Sequence, residues 1–175
     1  MNYKKIASHL PVLEFIYSIR PFYNVLEFGC GNYSTKYFDG ICNNVTSIEM
    51  KSYEWYEKIK KEVKMADVKF MKIEEITNWI NENNKYYDLI FVDGINRREC
   101  IDISFNKAPV IALHDHGLRA AKLGFFKQLK KYDNYELVML DIAQPTTSLF
   151  ISDVKLLSEL KKHNKYVIPI LDKWY

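Results

Sequence analysis

One acid and two glycines at close spacing, with a second acid further along, are the first residues in this chain able to do chemistry together. Glu27 stands two residues before Gly29, and Gly31 comes two residues later, within the run Val-Leu-Glu-Phe-Gly-Cys-Gly-Asn-Tyr-Ser-Thr at residues 25–35. Glycines at these positions allow backbone angles and a close ligand approach that side chains forbid. Asn32, Ser34 and Thr35 can cap a following helix, whose first amide groups otherwise point at a ligand without partners. A second acid, Glu49, lies 22 residues after Glu27 at the end of another apolar run. There a carboxylate can accept hydrogen bonds from both ribose hydroxyls of a nucleoside. Ser34 stands where the pyrophosphate-binding fingerprint has its third glycine. The Glu27 carboxylate in the turn would repel a pyrophosphate but suits a ligand carrying an ammonium or sulfonium charge.

Further polar groups close later apolar runs. Residues 88–92 lead into Asp93-Gly94, and residues 110–113 into His114-Asp115-His116. Imidazole titrates near neutrality, so His114 or His116 could serve as a general base toward a substrate hydroxyl. The plainer roles are a strand-end His114 bonded to backbone and Asp115 as a helix cap. Arg97 and Arg98 carry guanidinium forks that match a carboxylate or phosphate on a substrate, or they simply face solvent. His9 and His163 are assigned to surface or core.

The elements that must position these residues follow from periodicity. Apolar runs predict strands from Val25 onward and at residues 45–49, 68–72, 88–92 and 110–113, with a closing pair at 135–140 and 148–151 around Gln144-Pro145. Helical spacing predicts one or two helices over 3–19, interrupted by Pro11. Ile6, Leu10, Leu13, Ile16 and Tyr17 share their inner face. Further helices are expected over 33–38, stopped by Asp39-Gly40, and over 52–64, 76–80, 118–132 and 154–163. The helix over 52–64 turns Tyr53, Tyr56, Ile59 and Val63 inward, and residues 81–84 read as a polar loop. Strands alternating with helices predict an α/β fold with a doubly wound, mostly parallel, Rossmann-like sheet and a closing antiparallel strand, in a single domain. Residues 1–23 are expected to form a helical segment covering the site, and residues 24–175 the ligand-binding domain. In such sheets ligands bind at the carboxyl ends of strands, where Glu27, Glu49, Asp93, His114 and Asp115 all fall.

With 48% hydrophobic and 27% charged residues, the chain reads as globular rather than disordered or membrane-embedded. A net charge of +3, with lysines scattered among glutamates, argues against nucleic acid as a partner. Cys30, Cys42 and Cys100 form no Cys-x-x-Cys pair and are odd in number. They read as buried thiols in a reducing compartment, and a cytoplasmic location is expected. No apolar run approaches membrane-spanning length, and Pro11, Glu14 and Arg20 break any signal-peptide core.

On these residues the chain resembles the class I S-adenosylmethionine-dependent methyltransferases. The family's acid-x-Gly-x-Gly motif is matched by Glu27, Gly29 and Gly31, with Ser34 and Thr35 opening the first helix. Its ribose-binding acid is matched by Glu49, with Met50 beside the adenine and Glu74 near the adenine-contacting position. The Val-Asp-Gly of residues 92–94 with its arginines, and the His-Asp after the fifth strand, look like a bacterial subgroup acting on small-molecule or glycan hydroxyls. The resemblance spans about residues 24–151. It implies S-adenosylmethionine as cofactor, methyl transfer to a small-molecule or sugar hydroxyl, and Asp93, His114 and Asp115 as catalytic groups. It also implies a divalent cation shared by Asp93 and Asp115, although the family's Asp-Asn pair after strand five does not occur here. Two alternatives stay open: a nicotinamide-dependent oxidoreductase, and a protein that binds S-adenosylmethionine without turnover.

Overall fold

The computed structural model describes residues 7–114, 132, 134–140, 142, 147–163 and 167–168. It divides into two compact units, Phe22–Ala108 and Met1–Pro21 with Pro109–Tyr175.

The first unit alternates strand and helix: β1 (Asn24–Phe28), α2 (Ser34–Ile41), β2 (Asn44–Glu49), α3 (Tyr53–Glu62), β3 (Asp67–Phe70), α4 (Ile73–Asn83), β4 (Leu89–Val92) and α5 (Arg97–Ser104). Its strands pair in parallel in the order β3-β2-β1-β4, with Glu27 opposite Ser47 on one side and Phe91 on the other. All four residues of β4 are buried, as a central parallel strand requires. Side chains alternate along a strand, so Glu27, Ser47 and Phe91 share a face. Phe38 of α2 packs edge-to-face on Phe91 and on Phe22, each at 5.9 Å between centroids. These contacts hold α2 over the Glu27 carboxylate.

Three expectations for this unit are corrected. Helix α2 runs through Asp39-Gly40 to Ile41, because the Asp39 side chain is engaged elsewhere. Its carboxylate accepts the backbone N–H groups of Lys64, Met65 and Ala66 at 2.9, 2.7 and 2.7 Å. Helix α4 covers Ile73–Asn83 rather than 76–80 and absorbs most of the expected polar loop. The Glu75 carboxylate accepts the Lys72 N–H at its start, and Asn84 closes it in the left-handed region at φ 40°. Helix α3 turns Ile59 inward onto Cys30 and Val68, whereas Tyr53 is 60% exposed and packs on Tyr56 and Phe70 at the surface. Helix α5 was not anticipated. It begins after Asn96, itself left-handed at φ 52°.

The second unit contains α1 (Leu10–Ile19), β5 (Val110–Leu113), β6 (Glu136–Leu140), β7 (Thr147–Ile151), α6 (Val154–Lys162) and β8 (Val167–Ile168). Its strands pair antiparallel in the order β5-β7-β6-β8, which supplies the expected closing arrangement. Pro11 sits in the first turn of α1, where its missing N–H costs nothing, so it starts the helix instead of interrupting one. Val12, Leu13 and Ile16 face inward, and Tyr17 is only half-buried. Asp153 caps α6 by accepting from Lys155 and Leu156 N–H, each at 2.9 Å, and also pairs with Arg20 just past α1. Ile6, Gln144-Pro145 and the expected helix over 118–132, apart from Tyr132, lie outside the described residues. Among the described residues no helix is long and apolar enough to cross a membrane.

Candidate active site

The glycine turn is built on the carboxyl end of β1. Gly29 donates its N–H to Ile48 O at 2.8 Å, and Asp93 donates its own to Phe28 O at 2.9 Å, so the ends of β2 and β4 flank it. Gly29 has φ 92°, and a Cβ there would lie 2.4 Å from Gly94 Cα. Only glycine meets both demands. At Gly31 an added Cβ would meet Ser34 Oγ at 2.6 Å, so the buried Ser34 hydroxyl closes over the turn.

Beneath the turn, Glu27 is completely buried. Its Oε2 accepts hydrogen bonds from Thr35 Oγ1 at 2.6 Å and from Ser47 Oγ. Thr35 Oγ1 in turn accepts the Gly31 N–H at 2.8 Å, so one hydroxyl ties acid to turn. Oε1 accepts no hydrogen bond among the described residues. Burial pushes the Glu27 carboxyl up to about 7 against the pull of the Ser34, Ser47 and Thr35 hydroxyls, and the nearby Asp93 charge adds to the rise.

Glu49 ends β2 and is 7% exposed. Its Oε1 accepts the N–H groups of Lys51 and Ser52 at 2.7 and 3.0 Å, and its Oε2 faces the Cys30 thiol at 3.6 Å. Burial, followed by the charges of Glu49 and Glu27, pushes the Cys30 thiol far above its ordinary range. Cys30 therefore stays a neutral donor. Trp55 Nε1 donates to Cys30 O at 2.7 Å and fixes the turn from the side of α3.

At the end of β4, Asp93 Oδ1 accepts from Arg97 Nη2 at 3.1 Å, and Arg97 Nε donates to Gly94 O at 2.9 Å. Arg97 thus braces its own loop, while Arg98 is exposed. Met50 reaches across toward this loop. A Cβ on Gly94 would meet its Cε at 2.8 Å, and Cys100 Sγ lies 3.9 Å from its Sδ. Glu74 is exposed in the first turn of α4.

The structure therefore brings together Glu27, Gly29, Gly31, Ser34, Thr35, Glu49, Met50 and Asp93 around one set of strand ends. Sequence reasoning missed Ser47, Gly94 and Trp55, and gave Cys30 no role beyond that of a buried thiol. Ser47 needed the register of β1 on β2, and Trp55 needed the packing of α3. Gly94 was visible as a glycine after a strand-end acid.

In the second unit, His114 follows β5 and is 6% exposed. Its Nδ1 lies 3.2 Å from Thr147 Oγ1 and its Nε2 3.3 Å from Ser8 Oγ. Two hydroxyls therefore flank the ring. Asp115 and His116 lie outside the described residues.

No protein-family model and no curated relative matches the chain. Solved structures do. A candidate caffeoyl-CoA O-methyltransferase from Staphylococcus aureus is 16% identical, with TM-score 0.64 over 86% of this chain and 90% of that one. The N-methyltransferase NodS from Bradyrhizobium japonicum, in complex with S-adenosylhomocysteine, is 16% identical, with TM-score 0.59 over 85% and 87%. An S-adenosylhomocysteine-bound methyltransferase from Podospora anserina is 13% identical, with TM-score 0.57 over 78% and 74%. At such low identity the likeness is one of backbone architecture. The chain shares with these methyltransferase structures a doubly wound, Rossmann-like α/β fold.

Proposed function

We propose that this protein is a methyltransferase that binds S-adenosylmethionine at the carboxyl ends of β1, β2 and β4 and methylates a hydroxyl of a small molecule or sugar. The observation that carries the reading is Glu49. Its carboxylate is oriented in advance by two backbone amides and a thiol, beside a turn where Gly29 leaves no space for a side chain. An acid held this way is prepared to receive the two ribose hydroxyls without further ordering. The donor set also suits the ligand's charge. Two acids, Glu27 and Glu49, stand at this turn, and Oε1 of the buried Glu27 accepts no hydrogen bond among the described residues. Met50 supplies an apolar, polarizable contact for an adenine ring.

The cofactor supplies an electrophilic methyl group, and the protein's part is placement and proton handling. Asp93, braced by Arg97, is the carboxylate proposed to take the acceptor's proton. The exposed Arg98 is the guanidinium left to receive an anionic group on the substrate. His114 is the imidazole proposed as an alternative base, or as a nitrogen ligand to a metal ion.

Calorimetric titration with S-adenosylhomocysteine tests the reading. Saturable binding is expected, weakened at least about tenfold in Glu49→Ala, which corresponds to about 1.4 kcal/mol. Asp93→Asn should retain that binding and lose turnover on any hydroxyl acceptor. Absence of binding by the native chain, or stabilisation by NAD alone, sinks the proposal.

A further inference from the structure

His9, at the start of α1, is given no role in the reading above. It is 7% exposed, and its ring meets that of His114 edge-to-face, with centroids 4.8 Å apart and planes at 79°. A ring nitrogen of each residue lies within 4.8 Å of one on the other. We propose that the His9–His114 pair binds a divalent transition-metal ion of the zinc class, with the two imidazoles as protein ligands and water or a substrate oxygen in the remaining positions.

Three features of the second unit support this. The first is reach. A zinc–nitrogen bond is about 2.0–2.1 Å, so two ligating nitrogens must approach to roughly 3–3.5 Å, and the proposal has the His9 ring turn toward the ion while His114 stays on Thr147. The second is orientation. Imidazoles that ligate metals through one nitrogen almost always donate the other N–H to a fixed acceptor. Thr147 Oγ1, fully buried in β7, stands 3.2 Å from His114 Nδ1 and can fill that role, leaving the Nε2 lone pair for the ion. The third is the hydroxyl on the Nε2 side. Ser8 Oγ, 3.3 Å away, is placed to bond a metal-bound water once the ion enters. Imidazole ligands select zinc, copper, nickel or iron over magnesium or calcium, which prefer oxygen. The inference uses the second unit alone and does not depend on the methyl-transfer reading.

The test uses the untagged full chain, stripped with a chelator and titrated with Zn2+ in a calorimeter. One equivalent should bind. His9→Ala and His114→Ala should each weaken the affinity at least tenfold. Thr147→Val should weaken it about tenfold, whereas Thr147→Ser should preserve it, which a purely structural threonine would not predict. X-ray absorption on the zinc-loaded native chain should count two imidazoles, and that measurement needs no variant to fold. Absence of one-to-one binding overturns the proposal, as does affinity unchanged in both folded histidine variants, or a shell with fewer than two imidazoles. Failure to bind S-adenosylhomocysteine would leave the zinc result untouched, so the two proposals fail separately.

Discussion

Replacing Glu27 by glutamine keeps the side chain's shape and removes its ionisation, so Glu27→Gln isolates what burying this acid costs. The folded protein holds the carboxyl at about 7, raised from 4.5 chiefly by burial. Because the folded-state value is raised, the neutral form is the one that folding favours. Below about pH 4.5 the group is protonated in both states and its contribution is fully present. Between about 4.5 and 7 the unfolded chain releases the proton while the folded chain keeps it, so stability falls. Above about 7 both states are ionised and the loss levels off. At about 1.4 kcal/mol per pH unit the native protein loses roughly 3 kcal/mol across this window, a sizeable part of a domain's net stability. Glutamine does not titrate. The unfolding free energy of Glu27→Gln minus that of the native chain should therefore rise by about 3 kcal/mol from pH 4.5 to 8. Urea unfolding at several pH values across the window measures it, with the common pH dependence of other groups cancelling in the difference. A difference that stays constant to within about 0.5 kcal/mol would refute the reasoning and place the folded-state value near that of the unfolded chain.

Other expected outcomes follow from the same geometry. Gly29→Ala forces a side chain into φ 92° and against the Gly94 backbone, and should cost about 2 kcal/mol or more in urea unfolding together with ligand affinity. Asp39→Ala removes three backbone hydrogen bonds at a half-exposed site and should cost about 1–2 kcal/mol after allowance for solvent. Burial raises the Asp39 carboxyl, but those three N–H groups outweigh it and the net effect is downward, so its contribution is present above the unfolded value of 3.8 and disappears as pH falls through the lower folded value. Thermal unfolding of the two proteins should converge in acid. Burial pushes the Cys42 and Cys100 thiols up to about 12 and Cys30 higher still, so a thiol reagent at pH 8 should react with all three only as fast as the chain opens. Rapid labelling of any of them in the folded protein would show that its burial is incomplete.

Much of the fold was written in local pattern. The apolar runs of β1, β4 and β5 needed no partner to be read as buried strands, because continuous apolar sequence is stable only inside. Spacing likewise marked Glu27, Gly29, Gly31 and Glu49, since glycine and carboxylate at strand ends answer to local backbone and charge rules. Helix boundaries were less legible. Asp39 looked like a stop until the segment at Lys64–Ala66 claimed its carboxylate, and α4 continued through polar residues once Glu75 and Asn84 capped it. These are contacts or caps whose partners the periodicity does not reveal.

What sequence determined by itself was the alternation of strand and helix from β1 to β4 and the placing of Glu27, Glu49, Asp93 and the two glycines at strand ends. Only tertiary structure decided how those residues are tuned. The register of β1 on β2 set Ser47 against Glu27, and the packing of α2 buried that acid and raised it toward neutrality. The fold of the Asp93 loop turned Arg97 onto its own backbone, and the start of α1 carried His9 to His114. Chain chemistry is a property of residue type, whereas burial, register and pairing arise from segments far apart in sequence, and those set the energy of each charge.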